Sequence, residues 1–112
     1  MIDTSSPKYK PEPRVVLYRA ELNKILGTYG HLMAAGAARD YAIAMLKDRA
    51  IFSIYRRASE QPTWTVEKVP ALARRQGAWA VRGSNGQVLK RGHDLATVLR
   101  VFDRHKLRVV SE

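Results

Sequence analysis

The sequence predicts an α+β domain: an antiparallel sheet of about four to six strands, with an N-terminal and a C-terminal helix packed on one face. Three observations predict it. DRAIFSIYRRASEQPTWTVEK, residues 48–68, mixes β-branched and aromatic residues on either side of a turn-rich Ala58–Pro62 stretch. Asn85-Gly86 sits midway through a second alternating stretch, residues 77–91. Two apolar stripes at helical spacing, one before and one after these hairpins, supply the covering layer.

Residues 1–13 hold Ser5, Ser6, Pro7, Pro11 and Pro13 without periodicity and read as a flexible tail. Residues 14–112 then form a single domain, since 112 residues suit one core and no internal repeat appears. Val15-Val16-Leu17-Tyr18 suits a short strand leading into the first helix. Leu22, Ile25, Leu26, Tyr29, Leu32 and Met33 mark one face of that helix over residues 21–35. Gly27 and Gly30 weaken it and suggest close approach of another backbone; Gly36 suits its C-terminal cap.

DYAIAML, residues 40–46, alternates Tyr41, Ile43 and Met45 as a strand does, although its Ala, Met and Leu content also suits a helix. The strand reading is preferred because Lys47-Asp48 then turns tightly into a central strand over residues 49–57. That strand is apolar on both faces, Phe52 and Ile54 against Ile51 and Tyr55. In the next strand Trp64 and Val66 share one face, Thr65 and Glu67 the other. Residues 69–76 are a connection with room for one helical turn. Across a type I′ Asn85-Gly86 turn, Trp79, Val81 and Val88 fall on one face and Ala80, Arg82, Leu89 and Arg91 on the other. Leu95, Val98, Leu99 and Phe102 form the stripe of the second helix, and residues 106–110 suit a closing edge strand.

The chain has no Cys, which excludes disulfides and thiolate metal sites. His31, His93 and His105 lack ligand spacing, and there is no phosphate-binding Gly loop, dinucleotide Gly pattern or nucleophile elbow. No cofactor is expected and an enzyme is not. No apolar run reaches the ~18 residues of a membrane span, and the N-terminus has no signal-peptide core, so a cytoplasmic location is expected.

The net charge is +10, from 20 basic against 10 acidic residues. Such a field attracts polyanions. From Arg74 to Val110 nine Lys or Arg residues face only Asp94 and Asp103. Arg74, Arg75, Arg82, Lys90, Arg91, Arg100 and Arg104 are therefore the candidate binding residues, with RNA or DNA as the expected partner. Lys90-Arg91-Gly92-His93 places cations beside the start of the second helix, whose free N–H groups suit a phosphate; capping by Asp94 is the purely structural alternative. Charge reversal at Arg82 and Arg91 together is expected to abolish binding with little change in melting temperature. Trp64, Trp79 and Tyr55 could serve as stacking platforms beside Arg56-Arg57, although a Trp on an alternating strand is more often core. The second expectation is a protein–protein adaptor or homodimer, joined through an edge strand or through the Ile51/Tyr55 face.

ELNKILGTYGHLMAAG, DYAI, LKDRAIFSIYRRASE, ARRQGAWAV and LKRGHDLATVLRVFD together resemble a family of small alphaproteobacterial proteins catalogued as domain of unknown function 2794. The resemblance covers nearly everything after the tail. It implies a bacterial protein and carries over no activity and no functional residues. The order of elements is also loosely similar to double-stranded RNA-binding domains, though KRGHD only partly imitates their basic signature.

Overall fold

A computed structural model of the chain describes residues 13–57 and 61–104. The elements run α1 (Arg19–Ala34), β1 (Asp40–Met45), β2 (Ala50–Tyr55), β3 (Trp64–Lys68), β4 (Trp79–Arg82), β5 (Val88–Gly92) and α2 (Leu95–Leu99). One 3-10 turn, Pro70–Leu72, precedes β4, and another, Arg100–Phe102, extends α2. The five strands form one antiparallel sheet in the order β1-β2-β3-β4-β5, and both helices pack on one of its faces.

Register sets the faces. Phe52 pairs with Val66, and Val66 with Val81, so three fully buried side chains line up across the middle of the sheet. Ile54 opposite Trp64 makes the next row. Against them α1 sets Ile25, Tyr29 and Leu32, and α2 with its extension sets Leu95, Val98, Leu99 and Phe102. Each large side chain removed from water here contributes about 1.5–3 kcal/mol. Trp64 and Trp79 belong to this core, not to a stacking platform, and Phe102 meets Trp64 edge-to-face at 5.4 Å.

Residues 40–45 are a strand, so alternation outweighed helix propensity. Leu46 donates its N–H to the Arg49 carbonyl at 2.8 Å, closing the expected tight turn. Four local expectations are corrected. Residues 14–18 form no strand; the Val15 N–H donates to the Leu46 carbonyl at 2.8 Å. Met33 lies outside the buried stripe of α1. The last hairpin does not turn through type I′: Gly86 has a φ of +80°, whereas no residue other than glycine has a positive φ among the described residues. Gly86 instead closes a turn from Gly83, and a register shift between Val81 and Arg82 sets Arg82 opposite Val88, leaving Val88 exposed. Finally, a Cβ at Gly27 or Gly30 would meet nothing within 4 Å, so neither admits a neighbouring backbone. The expected strand over residues 106–110 lies outside the described residues.

Gly27 is thus helix interior without a packing role. Gly27→Ala is expected to raise stability by about 1 kcal/mol, read as a higher denaturant midpoint at unchanged slope.

Residues 14–18 are tied down by Lys68, on the helix side of β3. Its Nζ donates to Glu21 Oε1 at 2.8 Å and to the Val16 carbonyl at 2.9 Å, and lies 4.1 Å above the Tyr18 ring. Glu21 in turn accepts the Tyr18 N–H at the start of α1. Among the described residues no helix is long and apolar enough to cross a membrane.

Candidate functional site

The face of the sheet opposite the helices presents Ile51, Ser53 and Tyr55 from β2, Thr65 and Glu67 from β3, Ala80 and Arg82 from β4, and Arg91 from β5. Alternation puts Glu67 here because Val66 and Lys68 point to the helices. Glu67 is nevertheless buried, its side chain only 4% exposed. Three guanidiniums bury it. Arg91 Nη2 donates to Oε2 at 2.9 Å, Arg82 approaches through Nε at 3.2 Å and Nη2 at 3.3 Å, and Arg49 Nη1 stands at 3.4 Å from Oε1.

The arginines are fixed from behind as well. Arg91 Nη1 donates to the Gly77 carbonyl at 3.2 Å, and Arg82 Nη1 to the Gly86 carbonyl at 2.8 Å. Arg49 also pairs with the exposed Asp48 at 3.4 Å. Burial works against the charged form of Glu67, but hydrogen bonds from Arg82 and Arg91, with the charges of Arg82 and Arg49, outweigh it. Its carboxyl is therefore held below the ordinary carboxylate value. The cluster holds three guanidiniums against two carboxylates, Glu67 and Asp48. Each guanidinium has five donors, more than its bonds to Glu67, Asp48 and the two backbone carbonyls use.

The seven sequence-selected cations do not form one group. Arg82 and Arg91 meet at Glu67. Lys90 pairs across with Val81, which places it on the helix side of β5, where it is exposed. Arg74 and Arg75 are exposed in the turn after the first 3-10 turn. Arg100 lines a cleft of about 300 Å³ between α1 and α2 together with Lys24 and His31. Arg104 borders a second cavity beside Trp64, Leu89 and Phe102. The start of α2 is occupied by Asp94, whose Oδ2 accepts the Thr97 N–H at 3.0 Å and its hydroxyl at 2.8 Å. These bonds hold Asp94 below the usual carboxylate range.

Glu67 and Arg49 were the residues that sequence reasoning missed. The signal was present: Glu67 alternates onto the same face as Ile51, a neighbour across the ladder, and a central strand makes a face position there half-buried at least. Arg49 reads from the sequence as the first residue of the central strand and lies just before β2, with nothing local to tie it to Glu67. Among the described residues no group of His, Cys, Asp and Glu could hold a metal ion.

Residues 15–99 match the family described as Protein of unknown function (DUF2794), and the chain belongs to that family. No curated protein matches the chain, and neither does any solved structure.

Proposed function

We propose that the chain is a small, basic, non-enzymatic module of the cytoplasm that binds the phosphate backbone of nucleic acid on the helix-free face of its sheet. The observation that carries this reading is the gathering of Arg49, Arg82 and Arg91 around one buried carboxylate. The carboxylate positions the guanidiniums on the same sheet face as the half-buried Ser53, Thr65 and Tyr55, and donors beyond those their bonds use remain for a phosphate. The overall charge of +10 draws a polyanion toward the molecule from any direction. Exposed Arg56, Arg57, Arg74 and Arg75 add to that field.

The test is fluorescence anisotropy with random RNA and DNA oligonucleotides over a series of salt concentrations. Affinity is expected to fall steeply, with a log–log slope steeper than about −2 if three arginines each neutralise a phosphate. Arg49→Gln, at the most exposed of the three arginines (36%), is expected to flatten that slope by about one while the fold is retained. A slope near zero, or one that Arg49→Gln leaves unchanged, rejects the site. Double charge reversal at Arg82 and Arg91 is a poor test. It would place two further acids beside Glu67, so the melting temperature would fall with the binding.

A further inference from the structure

Among the described residues the sheet ends on two edge strands, β1 and β5, and they differ in kind. β5, VLKRG, carries Lys90 and Arg91, ends on Gly92 and faces a register shift in its pairing with β4. Charged side chains and irregular register are the usual means of discouraging a second chain from adding at an edge. β1, DYAIAM, has no Lys, Arg, Pro or Gly, and its register with β2 runs unbroken from Asp40 to Met45. Tyr41 and Ile43 are 42% and 38% exposed there.

The bond from the Leu46 N–H to the Arg49 carbonyl fixes the phase of the β1–β2 ladder. Alternation from that bonded pair turns the backbone groups of Tyr41, Ile43 and Met45 to the outer edge. Two of these groups are capped from within the chain. Asp40 Oδ1 accepts the Tyr41 N–H at 2.8 Å, and Arg14 Nη1 donates to the Met45 carbonyl at 3.0 Å. The Tyr41 carbonyl, both groups of Ile43 and the Met45 N–H have no partner among the described residues.

This pattern is complementary to itself. Antiparallel pairing of two copies about Ile43 sets Tyr41 opposite the partner's Met45. The open Ile43 N–H then meets the open carbonyl of the partner's Ile43, and the reverse. The open Met45 N–H meets the carbonyl of the partner's Tyr41. The Tyr41 N–H also faces the carbonyl of the partner's Met45, and at ladder spacing the two exchange their caps for each other. The Asp40 carboxylate and the guanidinium of the partner's Arg14, released at the same point, pair with each other, once on each side of the axis. Ala42 lies opposite the partner's Ala44, small against small. An unrelated strand would have no reason to match this order of open, capped, acidic and basic positions.

We infer that the chain forms a symmetric dimer through β1, joining two five-stranded sheets into one of ten. The test is solution mass by light scattering on the full chain across a dilution series. Twice 12.7 kDa is expected, dissociating on dilution. Ile43→Pro removes an N–H that faces away from β2, a position where an edge strand tolerates proline, and should give a folded monomer. Ile43→Lys should do the same by guarding the edge. Arg14→Glu should also give a monomer, and Arg14→Glu with Asp40→Arg should restore the dimer through the exchanged ion pair. A wild-type monomer at every concentration overturns the inference. So does a dimer that survives both Ile43 variants, since its contact would lie elsewhere. If the Ile43 variants unfold, the charge exchange decides: a double variant no more dimeric than Arg14→Glu rejects the pairing. None of these outcomes bears on nucleic-acid binding by the arginine cluster, which is measured separately.

Discussion

Gly77→Ala is expected to remove at least about 4 kcal/mol of stability at 25 °C, a large part of the total. Gly77 has a φ of +104°, a conformation that an L side chain adopts only with strain. Strain alone would cost about 1–2 kcal/mol. The steric clash costs more. A Cβ at Gly77 would lie 2.1 Å from the Gly92 carbonyl carbon and 2.2 Å from its oxygen. Those are backbone atoms at the end of β5, pinned by the pairing of Trp79 with Gly92, and they cannot rotate aside. Relief requires β5 to separate from the turn before β4. That would also break the bond from Arg91 to the Gly77 carbonyl and loosen the Glu67 cluster. A loss of at least about 4 kcal/mol follows, against a total of about 5–15 kcal/mol for a domain of this kind. Gly86→Ala is the control. Gly86 has a φ of +80°, but a Cβ there would meet nothing within 4 Å, so only the strain of about 1 kcal/mol applies. Denaturant melts of the two variants should therefore differ by several kcal/mol. Equal midpoints would show that the close approach of Gly77 to Gly92 is not part of the fold.

That contact illustrates what the sequence could and could not say. Alternation and helical spacing depend on neighbours within a few residues, so β1, β3 and both apolar stripes were legible. Lys47-Asp48 was legible as a turn because two residues between alternating runs leave little else. Gly77 was not, since its need for glycine comes from Gly92, fifteen positions away and on another strand. The same limit applied to the charge. A count of Lys and Arg located an excess in the last third of the chain. Alternation about the hairpin turn put Arg82 and Arg91 on one face, but the count could not tell that Lys90, adjacent to Arg91, falls on the other. Register decides that, and a single bulge beside Arg82 changes it. Nor could it tell that Glu67 would draw in Arg49, because ion pairing across a sheet depends on which strands lie side by side.

Glu67→Gln separates the structural part of the arginine cluster from its proposed binding role. At neutral pH the wild-type carboxylate is ionised and compensates Arg91, whose side chain is 14% exposed. Gln keeps one acceptor oxygen but no charge. Removing one member of a buried ion cluster costs about 3–5 kcal/mol where partners are fully enclosed. Arg82 and Arg49 are about a third exposed, and water stabilises them in part, so about 2 kcal/mol is expected here. The pH dependence has a definite sign. The folded-state pKa of Glu67 lies below its ordinary value, so the ionised group stabilises the fold above the unfolded-state pKa. That contribution is lost as pH falls from the ordinary carboxylate range, about pH 4, through the lower folded-state value. Wild type and Glu67→Gln should thus differ most at neutral pH and converge in acid. Binding should move the opposite way. Without the carboxylate the three guanidiniums keep only Asp48 as a counter-charge, and a phosphate competes with less for their donors. Affinity for nucleic acid at neutral pH should therefore rise even as the melting temperature drops. A variant that is less stable and binds no tighter would assign Arg49, Arg82 and Arg91 to holding the sheet together, and nothing more.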